Sequence, residues 1–342
     1  MWKDVYKFNG DFNSGGYYEL LILTYGIFST FESSHRALIL WNHGSAWLDD
    51  ASNTRSFTPQ AICYDYTVQN AISTVELRAV LQAYNSANPP GPRIDLLCMD
   101  ACLMGSIEVL YELKGLVDYI VASSFVEAGG GFNYNFLKQI TSIDGAVDVG
   151  RKIIDYYRSS HDGTQWENYG LSLAMYDMSK VQVTANLVSQ LGYRLKSIMN
   201  TSLRNTIHSF YSLLTHYDEY SLLVDLNDFA YFIQYIGDSQ VQYYAQQLQA
   251  VLNQLVIYEY AEKTGYVINN PVSIFMPNQA ESVRRYSSDY NTLLFTEETY
   301  WSDFLEAWLQ TGDVLKYVPS RSSLSNDFLK DVSLDEIFSP MK

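Results

Sequence analysis

IDLLCMDACLMGSIEVLYEL, residues 94–113, is a stretch whose apolar pattern changes half-way along. Ile94 to Met99 is nearly unbroken apolar sequence, too short for a helix, and predicts a strand buried on both faces. From Ile107 onward the apolar positions Ile107, Leu110 and Leu113 share one side of a helix. Asp100-Ala101-Cys102 lies between the two, at the strand's carboxyl end.

Upstream, Ala37 to Trp41 (ALILW) predicts another buried strand, parallel to the first, ending at Asn42-His43-Gly44. Tyr17 to Phe31 suits a buried helix. Ser45 to Phe57 is polar and reads as a loop. Ser73-Thr74-Val75-Glu76 fits a capping box opening a helix that runs to about Tyr84. Asn88-Pro89-Pro90-Gly91-Pro92 ends it. Downstream, Tyr119 to Ala122 (YIVA) predicts a third buried strand. Strand, helix, strand, helix, strand is the order of an α/β fold with a mostly parallel sheet flanked by helices. Ligands of such sheets bind beyond the carboxyl ends of strands, where both His43 and Cys102 fall.

From about Gly145 the chain turns mainly helical, with helices predicted at 145–160, 179–200, 225–236, 240–260 and 299–310. Leu171 to Tyr176 and Val272 to Met276 are strand candidates that would extend the sheet. The expected organisation is an α/β portion over 1–145, a mainly helical portion over 146–318 completing the same domain, and a tail over 319–342 that opens with a Ser-rich loop, Ser320 to Ser325.

Of the 342 residues, 47% are hydrophobic and 18% charged, which supports a sizeable core and excludes a disordered chain. With 29 Tyr, many rings must be buried with their hydroxyls wet. The net charge of −16 argues against a nucleic-acid partner. Cys63, Cys98 and Cys102 are an odd set without the spacing of a zinc site or a disulfide scaffold. No apolar run reaches the ~18 residues of a membrane span. The opening MWKDVYKFNG lacks the apolar core of a signal peptide, which is informative only if Met1 is the true start.

A thiol attacks a carbonyl as thiolate, and an imidazole nearby favours that form. His43 and Cys102 end two predicted strands of one parallel sheet, whose neighbours lie ~4.8 Å apart. Backbone amides of Gly44 and Cys102 are candidates to hold an oxyanion, with Gly44 admitting substrate close to the main chain. Cys102 is also expected to open the following helix, whose dipole would favour a thiolate. The plainer alternatives are a buried, inert Cys102 and a structural strand-end His43. Cys98 reads as core, and Cys63 as a loop residue. His35, His161, His208 and His216 read as solvated, Met104 as packing, and Asp100 either as a site acid or as a structural one.

LILWNHGSAW (38–47) and IDLLCMDACLMGSIEVLYEL (94–113) resemble the clostripain family of cysteine peptidases, which carry a His-Gly motif and an Asp-Ala-Cys-Leu-Met-Gly motif in this order. ICYDYTVQNAISTVELRAVL (62–81) resembles that family's connecting segment, VASSFVEAGGGFNY (121–134) resembles the loop after its third strand, and LSLAMYDMSKV (171–181), VDLNDFAYFI (224–233) and VSIFMPN (272–278) are similar to its later landmarks, so the resemblance covers roughly 17–310. It implies a caspase-like fold and an endopeptidase with a His43/Cys102 dyad that cuts after Arg or Lys. Asp100 is then an acid of the substrate pocket, with Ser45, Ser123 and Glu127 as further substrate-binding candidates.

Three departures stand out. The family's additional N-terminal strands have no counterpart, which points to a truncated chain. Gly129-Gly130-Gly131 lacks an acid often present between the glycines. Phe132-Asn133-Tyr134 replaces a Trp-Asp-Tyr. The resemblance also implies a peptide or protein substrate, a monomer, and a secreted or cell-surface bacterial setting. No cofactor is required, and calcium is possible. Asp49, Asp50 and Asp65 are scattered acids of no fixed metal role, and Lys138 and Arg151 are candidate self-processing points. The competing readings are a catalytically inactive caspase-like binding module, a truncated peptidase fragment, and a transpeptidase on the same dyad.

Overall fold

The computed structural model describes residues 13–31, 33–48, 62–87, 93–164 and 170–318. Helix α1 (Tyr17–Thr30) leads into strand β1 (Ala37–Trp41). A short hairpin, β2 (Ile62–Asp65) and β3 (Asn70–Ile72), precedes α2 (Thr74–Ala87). Strand β4 (Ile94–Asp100), helix α3 (Ile107–Glu112) and strand β5 (Val117–Ala122) follow. A 3₁₀ helix (Tyr134–Gln139) and α4 (Ala146–His161) lead to β6 (Leu171–Asp177). Then come α5 (Val181–Ile198), α6 (Thr201–Tyr211), β7 (Leu223–Asp225), α7 (Leu226–Ile233) and α8 (Ser239–Leu255). The chain continues through β8 (Val256–Lys263), β9 (Tyr266–Val267), β10 (Ser273–Phe275), α9 (Ala280–Tyr290), α10 (Leu294–Glu298) and α11 (Trp301–Leu309).

The main sheet has the order β1-β4-β5-β6-β8-β9. β1, β4 and β5 are parallel, and β6 runs against them. β8 opposes β6 and therefore runs with the first three, so four of the six strands share one direction. Helices cover both faces, as an α/β sheet requires. Period-2 alternation along β4 sends Leu97 and Met99 into a large core with α2, α3 and α5, and Leu96 and Cys98 into a smaller one with α4. All four are fully buried, and a buried leucine of this kind contributes roughly 2 kcal/mol over an exposed one.

The capping box is formed: the Ser73 N–H donates to Glu76 Oε2 at 2.9 Å, and the Glu76 N–H to Ser73 Oγ at 3.2 Å. Other expectations need correction. β1 is parallel but lies at the edge of the sheet among the described residues, with only Leu40 buried. Between its outer side and α1 lies a groove of about 440 Å³, lined by Leu20, Leu23, Ile27, Leu38 and Trp41 among others. The helix expected to reach residue 260 stops at Leu255, and β8 follows directly. β6 extends the sheet as expected, whereas β10 pairs with β7 in a separate two-stranded ribbon. Cys63 sits in β2, not in a loop. Residues 49–61, with Asp49 and Asp50, residues 88–92 and residues 319–342 lie outside the described residues.

Candidate active site

The ends of β1 and β4 build the site. Trp41 is opposite Asp100 in the parallel register, and the Asn42 N–H donates to the Asp100 carbonyl at 3.3 Å, carrying the ladder one step past the strand. His43 and Cys102 therefore leave adjacent tips in step. Gly44 lies directly on the cysteine's backbone: a Cβ there would sit 2.4 Å from the Cys102 carbonyl oxygen and 3.0 Å from its nitrogen. Only glycine lets the two tips come this close. The segment after His43 is pinned by Trp47, whose ring packs at 4.9 Å from Phe275 and 4.7 Å from Tyr290.

The turn after Cys102 departs from expectation. Cys102 does not open a helix. Leu103 is left-handed (φ 64°), and α3 starts only at Ile107, capped by Ser106, whose Oγ accepts from the Val109 N–H at 3.2 Å. Cys102 therefore lies outside the first turn of α3. The turn is instead tied to the exit of β5: the Leu103 N–H donates to the Phe125 carbonyl at 3.0 Å and the Gly105 N–H to the Ser123 carbonyl at 2.7 Å.

The Cys102 sulfur accepts the Glu127 N–H at 3.2 Å. Burial pushes the thiol up to about 11, and the charges of Glu127 and Asp100 push the same way, while the Glu127 N–H pulls back. Burial thus disfavours the thiolate. His43 is exposed, and its Nε2 lies 2.5 Å from the Tyr66 hydroxyl, with the two rings edge to face. Tyr66 in turn packs edge-on against Tyr64.

Asp100 is 1% exposed. Its Oδ1 accepts the Phe132 N–H at 3.0 Å and its Oδ2 the Tyr134 hydroxyl at 2.7 Å. Burial raises its carboxyl, and Tyr134, Glu127, the Phe132 N–H and His161 lower it. Glu127 is also buried; burial and then Asp100 hold its carboxyl well above the usual carboxylate range. Ser123 is fully buried, and its hydroxyl donates to the Phe125 carbonyl at 2.9 Å and meets Ser172 Oγ at 3.1 Å. It shapes the loop from within. Ser45 Oγ donates to the Leu48 carbonyl at 2.9 Å in the turn after Gly44.

Sequence reading missed three groups at this site: Tyr66, Tyr134 and His161. His161 is buried rather than solvated; its Nε2 lies 3.0 Å from the Gly131 carbonyl and its ring packs on Tyr157. The signal was present, because Ile154, Tyr157 and His161 share one face of α4. Among the described residues, no three His, Cys, Asp or Glu side chains gather as a metal site. Asp65 accepts from the Ser14, Thr67 and Val68 N–H groups and shapes a turn. The three cysteines are free thiols. No helix among the described residues is long and apolar enough to cross a membrane.

A sequence profile described as the clostripain family matches residues 2–308. The chain belongs to the clostripain family. Clostripain of Hathewaya histolytica is 24% identical over 336 residues, which take in 84% of this chain and 60% of the relative, so the chain spans about three-fifths of that protein's length. Among solved structures, an inactive zymogen C11 protease from Parabacteroides distasonis superposes with a TM-score of 0.61 at 17% identity, over 86% of this chain and 79% of the other. A secreted C11 cysteine protease from Bacteroides thetaiotaomicron, solved with an irreversible peptide inhibitor, gives 0.54 at 18% identity, over 85% and 78%. These likenesses bear out the caspase-like α/β fold of this clostripain-family chain.

Proposed function

We propose that the chain is a cysteine endopeptidase whose dyad is His43 and Cys102 and which cuts after Arg or Lys. The observation that carries this reading is the register: Trp41 opposite Asp100, with Gly44 pressed on the Cys102 backbone, sets an imidazole and a sulfur at neighbouring strand tips. In this reading Cys102 passes its proton to His43 as substrate seats, attacks the carbonyl and forms the acyl-enzyme, which water then hydrolyses to free the thiol. His43 carries a proton to the leaving amine. Main-chain N–H groups at Gly44 and Cys102 serve the oxyanion. Asp100 attracts the substrate cation, and for that Gly131, whose Cβ position lies 2.6 Å from Asp100 Oδ1, has to give way. A secreted setting, stated for the Bacteroides thetaiotaomicron relative, is the corresponding proposal for location.

Hydrolysis of Arg- and Lys-terminated reporter peptides tests the reading. Cys102→Ala is expected to abolish it and His43→Ala to cut it at least a hundredfold. A fully active Cys102→Ala protein overturns the dyad.

A non-catalytic binding module is favoured by two features: burial disfavours the Cys102 thiolate, and His43 Nε2 is engaged by Tyr66. An arginyl chloromethylketone separates the two readings. Stoichiometric alkylation of Cys102 supports the enzyme, and an unlabelled folded protein supports the module.

A further inference from the structure

Histidine has two ring nitrogens, and the partner of one decides what the other can do. Nε2 of His43 lies 2.5 Å from the Tyr66 hydroxyl, with the ring centres 5.7 Å apart. Among the described residues, Tyr66 is the hydrogen-bond partner of this ring. Nδ1 is thereby the nitrogen left for the sulfur. It adjoins the carbon that joins the ring to the chain, so it sits nearer the main chain, where Gly44 is pressed on Cys102. The hairpin that carries Tyr66 is fastened to the histidine's own backbone. Gly44 bridges Ile62 in antiparallel fashion, and the Cys63 N–H donates to the His43 carbonyl at 3.3 Å. A left-handed Cys63 (φ 61°) and an irregular register between Ile62 and Asp65 bend β2 at this point. The Asp65 carboxylate ties the turn, accepting from the Thr67 N–H at 2.8 Å and the Val68 N–H at 3.3 Å. It also accepts from the Ser14 N–H at 2.9 Å, which anchors the turn to the start of α1. Tyr64, 6% exposed, braces the Tyr66 ring edge-on at 4.8 Å. Tyr66 itself is 62% exposed and so adds little to the core. A turn tied on several sides therefore presents a solvent-facing phenol to an imidazole.

We propose that Tyr66 is a positioning residue of the peptidase reaction: its phenol oxygen accepts the Nε2 proton of His43 and so fixes the tautomer in which Nδ1 takes the Cys102 proton. This rests on the peptidase reading and deepens it. In the resting ring the proton is on Nε2 and the lone pair on Nδ1. The sulfur's proton moves to Nδ1, and the sulfur's electron pair forms the bond to the substrate carbonyl carbon. The ring is now an imidazolium, and its Nε2–H bond to Tyr66 becomes charge-assisted and stronger. The Nδ1 proton then goes to the leaving amine as the C–N bond breaks. A water that attacks the acyl-enzyme gives one proton to Nδ1, which returns it to the departing sulfur. Tyr66 keeps its own proton throughout and, being exposed, can donate it to water. Occupation of Nε2, which on the binding-module reading idles the histidine, here prepares its other nitrogen.

The experiment is steady-state hydrolysis of an Arg-terminated reporter peptide by the full chain near pH 6. Tyr66 is replaced in turn by phenylalanine, monofluorotyrosine and difluorotyrosine. Tyr66→Phe keeps the ring contacts with His43 and Tyr64 and removes only the hydroxyl. Its kcat should fall about tenfold, the weight of one such hydrogen bond. KM should stay within about twofold, because the bond strengthens only as the reaction proceeds. Ring fluorines draw charge from the phenol oxygen and weaken it as an acceptor while hardly changing its shape. The kcat should therefore decline in the order tyrosine, monofluorotyrosine, difluorotyrosine, phenylalanine. A tyrosine with a merely structural role would not follow that order. The fluorinated chains carry the test alone should Tyr66→Phe fail to fold. An unchanged kcat in Tyr66→Phe overturns the proposal. So does a kcat that rises there, which would mark Tyr66 as holding the imidazole back, or one that climbs with fluorination, which would make the phenol the donor. If hydrolysis in those cases still requires Cys102 and His43, the peptidase reading stands and only the role of Tyr66 falls. A wild-type chain that neither hydrolyses the reporter nor takes an arginyl chloromethylketone on Cys102 removes both.

Discussion

Trp41 and Asp100 stand opposite each other at the ends of parallel strands, one 67% exposed and the other 1%. The edge of the sheet is open on one side of this rung and closed on the other. The residues just beyond inherit that contrast, with His43 in solvent and Cys102 half-buried.

Alkylation of Cys102 should report its resting state. With the thiol held near 11 by burial, labelling by iodoacetamide should rise about tenfold per pH unit from 7 to 10. Peptide-mass quantification of the Cys102 adduct gives the slope. A rate that is already flat between pH 6 and 8 would show that a thiolate–imidazolium pair exists before substrate arrives. Cys63, pushed up to about 12 by burial, should lag behind.

Gly44→Ala forces a methyl to within 2.4 Å of the Cys102 carbonyl, so the two strand tips must part. Displacements of about 1 Å at reacting groups cost on the order of 10²-fold. We expect kcat/KM on a basic reporter peptide to fall by about that factor. The melting temperature should shift by only a few degrees. Unchanged kinetics would dissociate Gly44 from the chemistry.

Glu108 should make stability fall with rising pH. It is fully buried, accepts the Phe275 N–H at 2.8 Å, and has its carboxyl pushed up to about 7, above the ordinary glutamate range, by burial. A folded value above the unfolded one gives stability that is complete below the unfolded value and is lost as pH rises through the folded one. The shift corresponds to roughly 3 kcal/mol at most. Glu108→Gln, whose Oε1 keeps the Phe275 bond, should unfold at higher denaturant than wild type at pH 8 and match it near pH 4. A variant no more stable at pH 8 would contradict this assignment.

Asp238 should act in the opposite sense. It caps α8 through the Gln240 and Val241 N–H groups and pairs with Arg194, which lowers its carboxyl to about 2. Its contribution is present above the unfolded value near 4 and is lost as pH falls through 2. Asp238→Ala should cost about 1–2 kcal/mol at pH 7, mostly as the lost cap, because the pair is partly solvated. Urea melts at pH 7 and pH 2.5 check this, and an equal loss at both would refute it.

The strands that carry the candidate site were legible because each is a short apolar run ending in small or polar residues, as in ALILW before Asn42 and IDLLCM before Asp100. β8 was not legible. VIYEYAEK follows α8 with no Gly or Pro between them, and its glutamates read as the polar side of a longer helix. In the sheet those positions are half-buried, which a strand tolerates. Helix α9 escaped because AESVRRYSSDY buries only Val283, Tyr286 and Tyr290. At the site, the residue types and the strand tips were legible in sequence. The partners were not: Tyr66 on His43 and Tyr134 on Asp100 are contacts across loops, and no period encodes them.

The sheet that holds the site is stitched from both halves of the chain, since β5 pairs with β6 across the segment that carries Lys138 and Arg151. A scission after Lys138 would therefore yield two polypeptides that separate on a denaturing gel yet elute together from a native column. Neither piece would own a complete core, and each would serve as the other's template.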